Sequence, residues 1–177
     1  MINGATTLED LAFIVADVLN KNGIKSVLVG GGAVNIYTEN KYLSDDLDFI
    51  SHSDIKTIEK ALSQIGFKKN KGRYFIHPET RFFLEFPTPP VSIGNKPVDE
   101  FSMLEKEEKK LQILTPTHCV MDRLAAFYFW NDEQSFIQAL MVAKNQKINM
   151  KEIEIWSKNE DMLSKFKIFK EKIQQSE

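Results

Sequence analysis

Two acids and a run of glycines carry the chemistry in this sequence. Gly30-Gly31-Gly32 follows the apolar run at 24–29 (IKSVLV), and Asp46-Leu47-Asp48 opens a second apolar run ending at Ile50. On a strand, residues two apart face the same way. Asp46 and Asp48 would then present two carboxylates on one face, roughly 6.5–7 Å apart along the chain. Carboxylates that close repel each other, and an oxygen-binding cation relieves the repulsion. Mg²⁺ commonly uses one or two protein carboxylates together with substrate phosphates and water, and such a pair suits in-line phosphoryl chemistry. Gly30 and Gly31 have no side chains, so a phosphate can approach their backbone. Amides at the start of the helix that follows favour an anion.

The surrounding elements must hold these groups in register. Residues 7–22 have apolar positions Leu8, Leu11, Ala12, Val15 and Leu19 at helical spacing, with Thr7 and Asp10 as a capping box and Gly23 as a stop. A buried strand over 24–29 leads into the glycines. A short helix over AVNIYTEN, a strand at 47–50 and a helix capped by Ser53 and running to about Ile65 follow. Residues 67–86 predict a hairpin with arms near 73–77 and 81–86, turning at Pro78-Glu79-Thr80. The prolines of PTPP end its second arm. Residues 91–113 read as a mixed connector whose charge run, EKEEKK, is a solvated helix face or loop. From Thr115-Pro116, a cap and first-turn proline, four helices are expected over 116–129, 132–144, 149–158 and 160–174. The expected division is an α/β core over 1–113 and a helical subdomain over 114–177.

The segment Val29-Gly30-Gly31 followed by Asp46-Leu47-Asp48-Phe49 resembles the signature of the nucleotidyltransferase superfamily, the DNA polymerase β-like fold. Ser44-Asp45-Asp46-Leu47-Asp48-Phe49 looks especially like the branch that includes toxin components of abortive-infection systems, the AbiEii-like group. It is also similar to aminoglycoside adenylyltransferases. The resemblance implies an α+β fold, a mixed sheet flanked by helices and followed by helices at the C-terminal end. It implies a Mg²⁺-dependent (or Mn²⁺-dependent) enzyme that moves a nucleoside monophosphate from an NTP to an acceptor, releasing pyrophosphate. Asp46 and Asp48 would be catalytic metal ligands, and Gly30, Gly31 and Ser44 would lie at the nucleotide. A third carboxylate is expected on a later strand. Glu85 is the best candidate, because an acid between Leu84 and Phe86 needs a partner; Glu79 and Asp99 are weaker ones. On the first C-terminal helix Arg123 could reach the phosphates, with Asp122 orienting it. The acceptor implied is tRNA or another RNA, a protein or a small molecule, and a toxin would have an antitoxin partner.

Other classes recede. A P-loop needs Gly-Lys-Ser/Thr, which is absent, and the dinucleotide fingerprint lacks its third glycine at Asn35. The net charge of −2, with 42% hydrophobic and 27% charged residues, describes a globular chain rather than a dedicated duplex-DNA binder. No apolar run approaches the roughly 18 residues of a membrane span. The first residues do not read as a secretory signal, and Cys119 is the single cysteine, so a cytoplasmic protein is expected. His52, His77 and His118 show no metal spacing. Cys119 and most of Phe127, Tyr128, Phe129 and Trp130 are expected to pack in the interior. Lys68, Lys69, Lys71, Arg73 and Arg81 face Glu79 alone in the hairpin region. They are either solubilising charge or a means of steering an NTP or RNA. The alternative to an enzyme is a degenerate nucleotidyltransferase-fold module that binds nucleotide or a partner, motivated by Met121 and Tyr42. Relatives carry a lysine near the position of Met121, and an arginine at that of Tyr42.

Overall fold

The computed structural model describes residues 2–175. α1 (Leu8–Lys21) begins at the anticipated capping box: the Thr7 hydroxyl accepts from the Asp10 amide at 3.1 Å and donates to the Asp10 carboxylate at 2.8 Å. Its apolar stripe is buried at Leu8, Leu11, Ala12, Val15 and Leu19, each large side chain contributing about 1.5–3 kcal/mol by leaving water. The chain then runs through β1 (Val27–Val29), α2 (Gly30–Tyr37), β2 (Asp46–Ile50), α3 (Ile55–Ser63), β3 (Lys68–Lys69), β4 (Tyr74–Ile76) and β5 (Phe83–Glu85). Next come a small hairpin of β6 (Ser92–Ile93) and β7 (Lys96–Pro97), then β8 (Phe101–Lys106) and β9 (Lys109–Leu114). α4 (Pro116–Trp130), α5 (Glu133–Asn145), α6 (Met150–Asn159) and α7 (Leu163–Gln174) complete it.

Seven strands form one mixed sheet in the order β3-β4-β5-β2-β1-β9-β8. β1 runs antiparallel to β2 and parallel to β9, and β2 runs parallel to β5. One face of the centre is apolar and closed, with Leu28, Leu47, Phe49, Phe75 and Leu84 fully buried. The alternate residues of β2, β4 and β5 point to the other, more open face, as the period of two requires. The C-terminal helices pack through aromatic contacts: Phe127 on Phe136 with ring centroids 4.5 Å apart, and Tyr128 on Trp156 at 5.4 Å. The indole of Trp156 donates to the Ile93 carbonyl at 3.2 Å, seating the β6–β7 hairpin on α6. No helix among the described residues is long and apolar enough to cross a membrane.

Several elements differ from the sequence expectation. Residues 91–113 are not a connector but contain four strands, and β9 is an inner strand of the sheet. The run EKEEKK is the end of a long hairpin, turning at Glu107 and Glu108 with φ of 48° and 65°. Two-residue hairpin turns want φ > 0 at both positions and normally announce themselves by Asn-Gly or Asp-Gly; two glutamates hide the turn. α2 starts at Gly30, so the glycines are its first turn rather than a loop before it. α3 is capped by Asp54, whose carboxylate accepts from the Lys56 and Thr57 amides, and not by Ser53. α7 starts at Leu163, not 160. In the aromatic run, Phe127 and Tyr128 are buried, whereas Phe129 and Trp130 are exposed.

Candidate active site

The parallel pairing of β2 with β5 sets Asp48 opposite Glu85, and Asp46 lies two residues back on the same face. Asp46, Asp48 and Glu85 each offer a carboxylate oxygen, and these atoms all lie within 4.8 Å of one another. Glu79 and Asp99, the weaker candidates, do not join this cluster. All three acids are half-buried, and none has an ion-pair partner among the described residues. Three hard oxygen donors converging with no ion pair to neutralise them fit a divalent cation of the Mg²⁺ or Mn²⁺ type.

The neighbours of each carboxylate explain its placement. The buried Ser44 hydroxyl donates to Asp46 Oδ1 at 2.7 Å and fixes its rotamer. Gly31 makes room for that hydroxyl, since a Cβ there would stand 2.8 Å from Ser44 Oγ. Gly30 has φ +64°, and a Cβ on it would overlap Asp48 Oδ2. Only glycine satisfies both conditions. The two glycines therefore clear space for the carboxylates as well as exposing backbone. α2 begins beside the acids, because Val29 at its N-cap pairs with Asp48. No side chain caps that helix, so its first-turn amides keep their donors for another acceptor.

Crowding of negative charge is visible in the protonation of Asp48. Burial first, then the Asp46 and Glu85 carboxylates, push its pKa from 3.8 up to about 7, while Arg123 pulls the other way. Arg123 lies within electrostatic reach of Asp48. Its guanidinium donates to Asp122 at 3.0 and 2.6 Å and to Gln138 Oε1 at 3.3 Å, so Asp122 orients it as expected. The sequence anticipated Asp46, Asp48, Glu85, Ser44, Gly30, Gly31 and Arg123, and the structure brings all seven to one region.

Tyr74 was missed. It is the antiparallel partner of Glu85, and the charge of that carboxylate, then a hydrogen bond to it, raises the tyrosine pKa. Aligning the buried pair Phe75 and Leu84 across the hairpin would have exposed this pairing. Met121 is fully buried in α4, and the Tyr42 hydroxyl accepts from Gln134 Nε2 at 3.2 Å. His118 is buried too, 3.2 Å from Glu152 and 3.5 Å from Lys96. Cys119 is fully buried, its thiol pushed up to about 12, chiefly by burial.

Residues 7–72 match the family described as nucleotidyl transferase of unknown function, DUF2204. Among curated proteins, none matches the sequence significantly. The fold is similar to that of an antigenic nucleotidyltransferase-like protein from Paracoccidioides brasiliensis. The TM-score is 0.56 at 15% identity, over 79% of this chain and 78% of that one. It is similar also to the lincosamide antibiotic adenylyltransferase LnuA, solved with lincomycin bound. There the TM-score is 0.51 at 16% identity, over 80% of this chain and 99% of that one. The chain has the nucleotidyltransferase fold, and its match to a nucleotidyl transferase family spans the glycine turn and the first two carboxylates of the acidic cluster.

Proposed function

We propose that this protein transfers a nucleoside monophosphate from an NTP to an acceptor hydroxyl, with Asp46, Asp48 and Glu85 holding Mg²⁺ or Mn²⁺. The observation that carries the reading is the convergence of three unpaired carboxylates beside the uncapped, glycine-built start of α2. The bound cations would neutralise the triphosphate charge and polarise the α-phosphate. Everything else falls to the chain. The first-turn amides of α2 bind phosphate oxygens. Arg123, held by Asp122, adds a planar cation on the same side. Ser44 keeps Asp46 from rotating away, and Glu85, nearest the open flank of the sheet, accepts the acceptor's hydroxyl proton. The acceptor oxygen bonds to the α-phosphorus as the bond to the bridging oxygen breaks, and pyrophosphate departs with that electron pair. Positioning and charge neutralisation supply most of the acceleration in such a transfer.

Calorimetric titration of each NTP, with and without Mg²⁺, into wild type and Asp48→Asn tests this. Mg²⁺-dependent binding of at least one NTP, lost in the variant, is expected. Binding that is indifferent to Mg²⁺, or retained by Asp48→Asn, would refute the carboxylate site as drawn.

A further inference from the structure

The cluster divides the open sheet face into two flanks. β2 lies between β1, which leads into α2, and β5. The triphosphate groups proposed above, the α2 amides and Arg123, leave the flank of β5, β4 and β3 without a role. That flank has a definite character. Opposite Glu85 stands Tyr74, 41% exposed, its ring 5.9 Å from that of Phe83. Two residues along β4, on the same face, is Ile76, 48% exposed, and opposite it across the next pairing is Lys68. A path from the acids to the sheet edge therefore meets two rings, an aliphatic side chain and a cation. At that edge Lys68, Lys69 and Lys71 are exposed and have no ion-pair partner among the described residues. Arg73 is turned to the Phe86 carbonyl at 3.1 Å, and Arg81 stands 3.8 Å from Asp45. The chain as a whole has more acids than bases, 25 to 23, so an unneutralised cationic edge is a local feature.

We propose that this flank is the acceptor platform, and that the acceptor is the end of a single-stranded nucleic acid whose terminal hydroxyl reaches Glu85. The inference rests on the nucleotidyl-transfer reading and names its substrate class. Aromatic rings stack bases of any sequence, and lysines along a groove meet the phosphates. A cationic small molecule would be repelled by the same edge. Terminal bases lie on Tyr74 and Phe83, and the preceding phosphates meet Lys68 on the same face and Lys71 in the turn beyond it; Lys69, paired with Phe75, belongs to the opposite face.

The test is fluorescence anisotropy with labelled single strands of about 10 nucleotides, RNA in one arm and DNA in the other, at several salt concentrations without NTP. The proteins are wild type, the double variant Lys68→Ala/Lys71→Ala, Tyr74→Ala and Tyr74→Phe, each checked by thermal melting. The double variant should bind at least about 5-fold more weakly, and its log–log salt slope should fall by about 1.4, two lost phosphate contacts at roughly 0.7 each. Tyr74→Ala should weaken binding by about 5-fold or more, whereas Tyr74→Phe, which keeps the ring, should hold near wild type. Tighter binding of RNA than DNA, or the reverse, assigns the acceptor within this class. No binding of either strand, or binding that all the variants retain, overturns the platform. The NTP titration of the same wild-type protein separates the failures. NTP bound without strand binding overturns only the platform, and strand bound without NTP overturns nucleotidyl transfer.

Discussion

Replacing Asp48 by asparagine should make the metal-free protein more stable while removing its function. Asp48 belongs to three carboxylates whose oxygens lie within 4.8 Å of one another, and its pKa is pushed from 3.8 up to about 7, by burial first and by Asp46 and Glu85 next. One pKa unit corresponds to about 1.4 kcal/mol, so ionising this group costs the folded state at most about 4 kcal/mol. Water on the open side of the half-buried cluster screens part of this, leaving about 2 kcal/mol as the working figure. The sign follows from the direction of the shift. A carboxyl whose folded pKa is raised binds its proton more tightly when folded, so ionisation opposes folding. The cost is absent below about pH 3.8, grows as pH rises toward 7, and is complete above it. Asp48→Asn in chelator at pH 8 should therefore melt higher than wild type by about 4–8 °C, at roughly 2–4 °C per kcal/mol for a chain of this size. The difference should close as the pH falls to 4. Added Mg²⁺ should reverse the ranking, because it stabilises only the folded state that binds it. Scanning calorimetry at the two pH values, with and without Mg²⁺, reads all of this. A variant that melts at or below wild type at pH 8 in chelator would refute the electrostatic account, as would an advantage undiminished at pH 4.

Two further substitutions test the supporting structure. Gly30→Ala meets both a φ of +64° and the Asp48 carboxylate; it should destabilise the fold by about 1–3 kcal/mol and weaken Mg²⁺–NTP binding, read by melting and calorimetry. Replacing Glu107 and Glu108 by Asn and Gly should stabilise the protein by about 1–2 kcal/mol without touching the site, because both residues hold positive φ; an unchanged or lower melting temperature would count against the turn assignment.

What the sequence made legible divides along a physical line. Asp46, Asp48, Gly30 and Gly31 could be read because their chemistry restricts the residue type and because β1, α2 and β2 are contiguous in the chain. Glu85 could be read as an acid misplaced in an apolar strand, but its register opposite Asp48 could not, since a parallel pairing across such a separation leaves no local trace. Tyr74 escaped for a different reason: its place opposite Glu85 depends on the exact register of an antiparallel hairpin, which only the buried pair Phe75 and Leu84 marks. The β8–β9 hairpin escaped for a third. Its first strand, β8, alternates only between half-buried and exposed residues, and its turn is made by glutamates where the φ values call for glycine or asparagine.

The glycines show how a correct reading of residue type can carry an incomplete reason. A bare backbone that admits phosphate accounts for Gly30 and Gly31 from the ligand's side. The fold adds an internal demand, because Gly30 yields to Asp48 Oδ2 and Gly31 to the Ser44 hydroxyl that fixes Asp46. The two demands coincide because the same turn brings the uncapped first-turn amides of α2 next to the acidic cluster. A side chain at either glycine would displace a carboxylate even if it left the amides free. Acids crowded at a cost to folding, with glycines placed to allow the crowding, are what the proposed cation and triphosphate would require and what packing alone would not select.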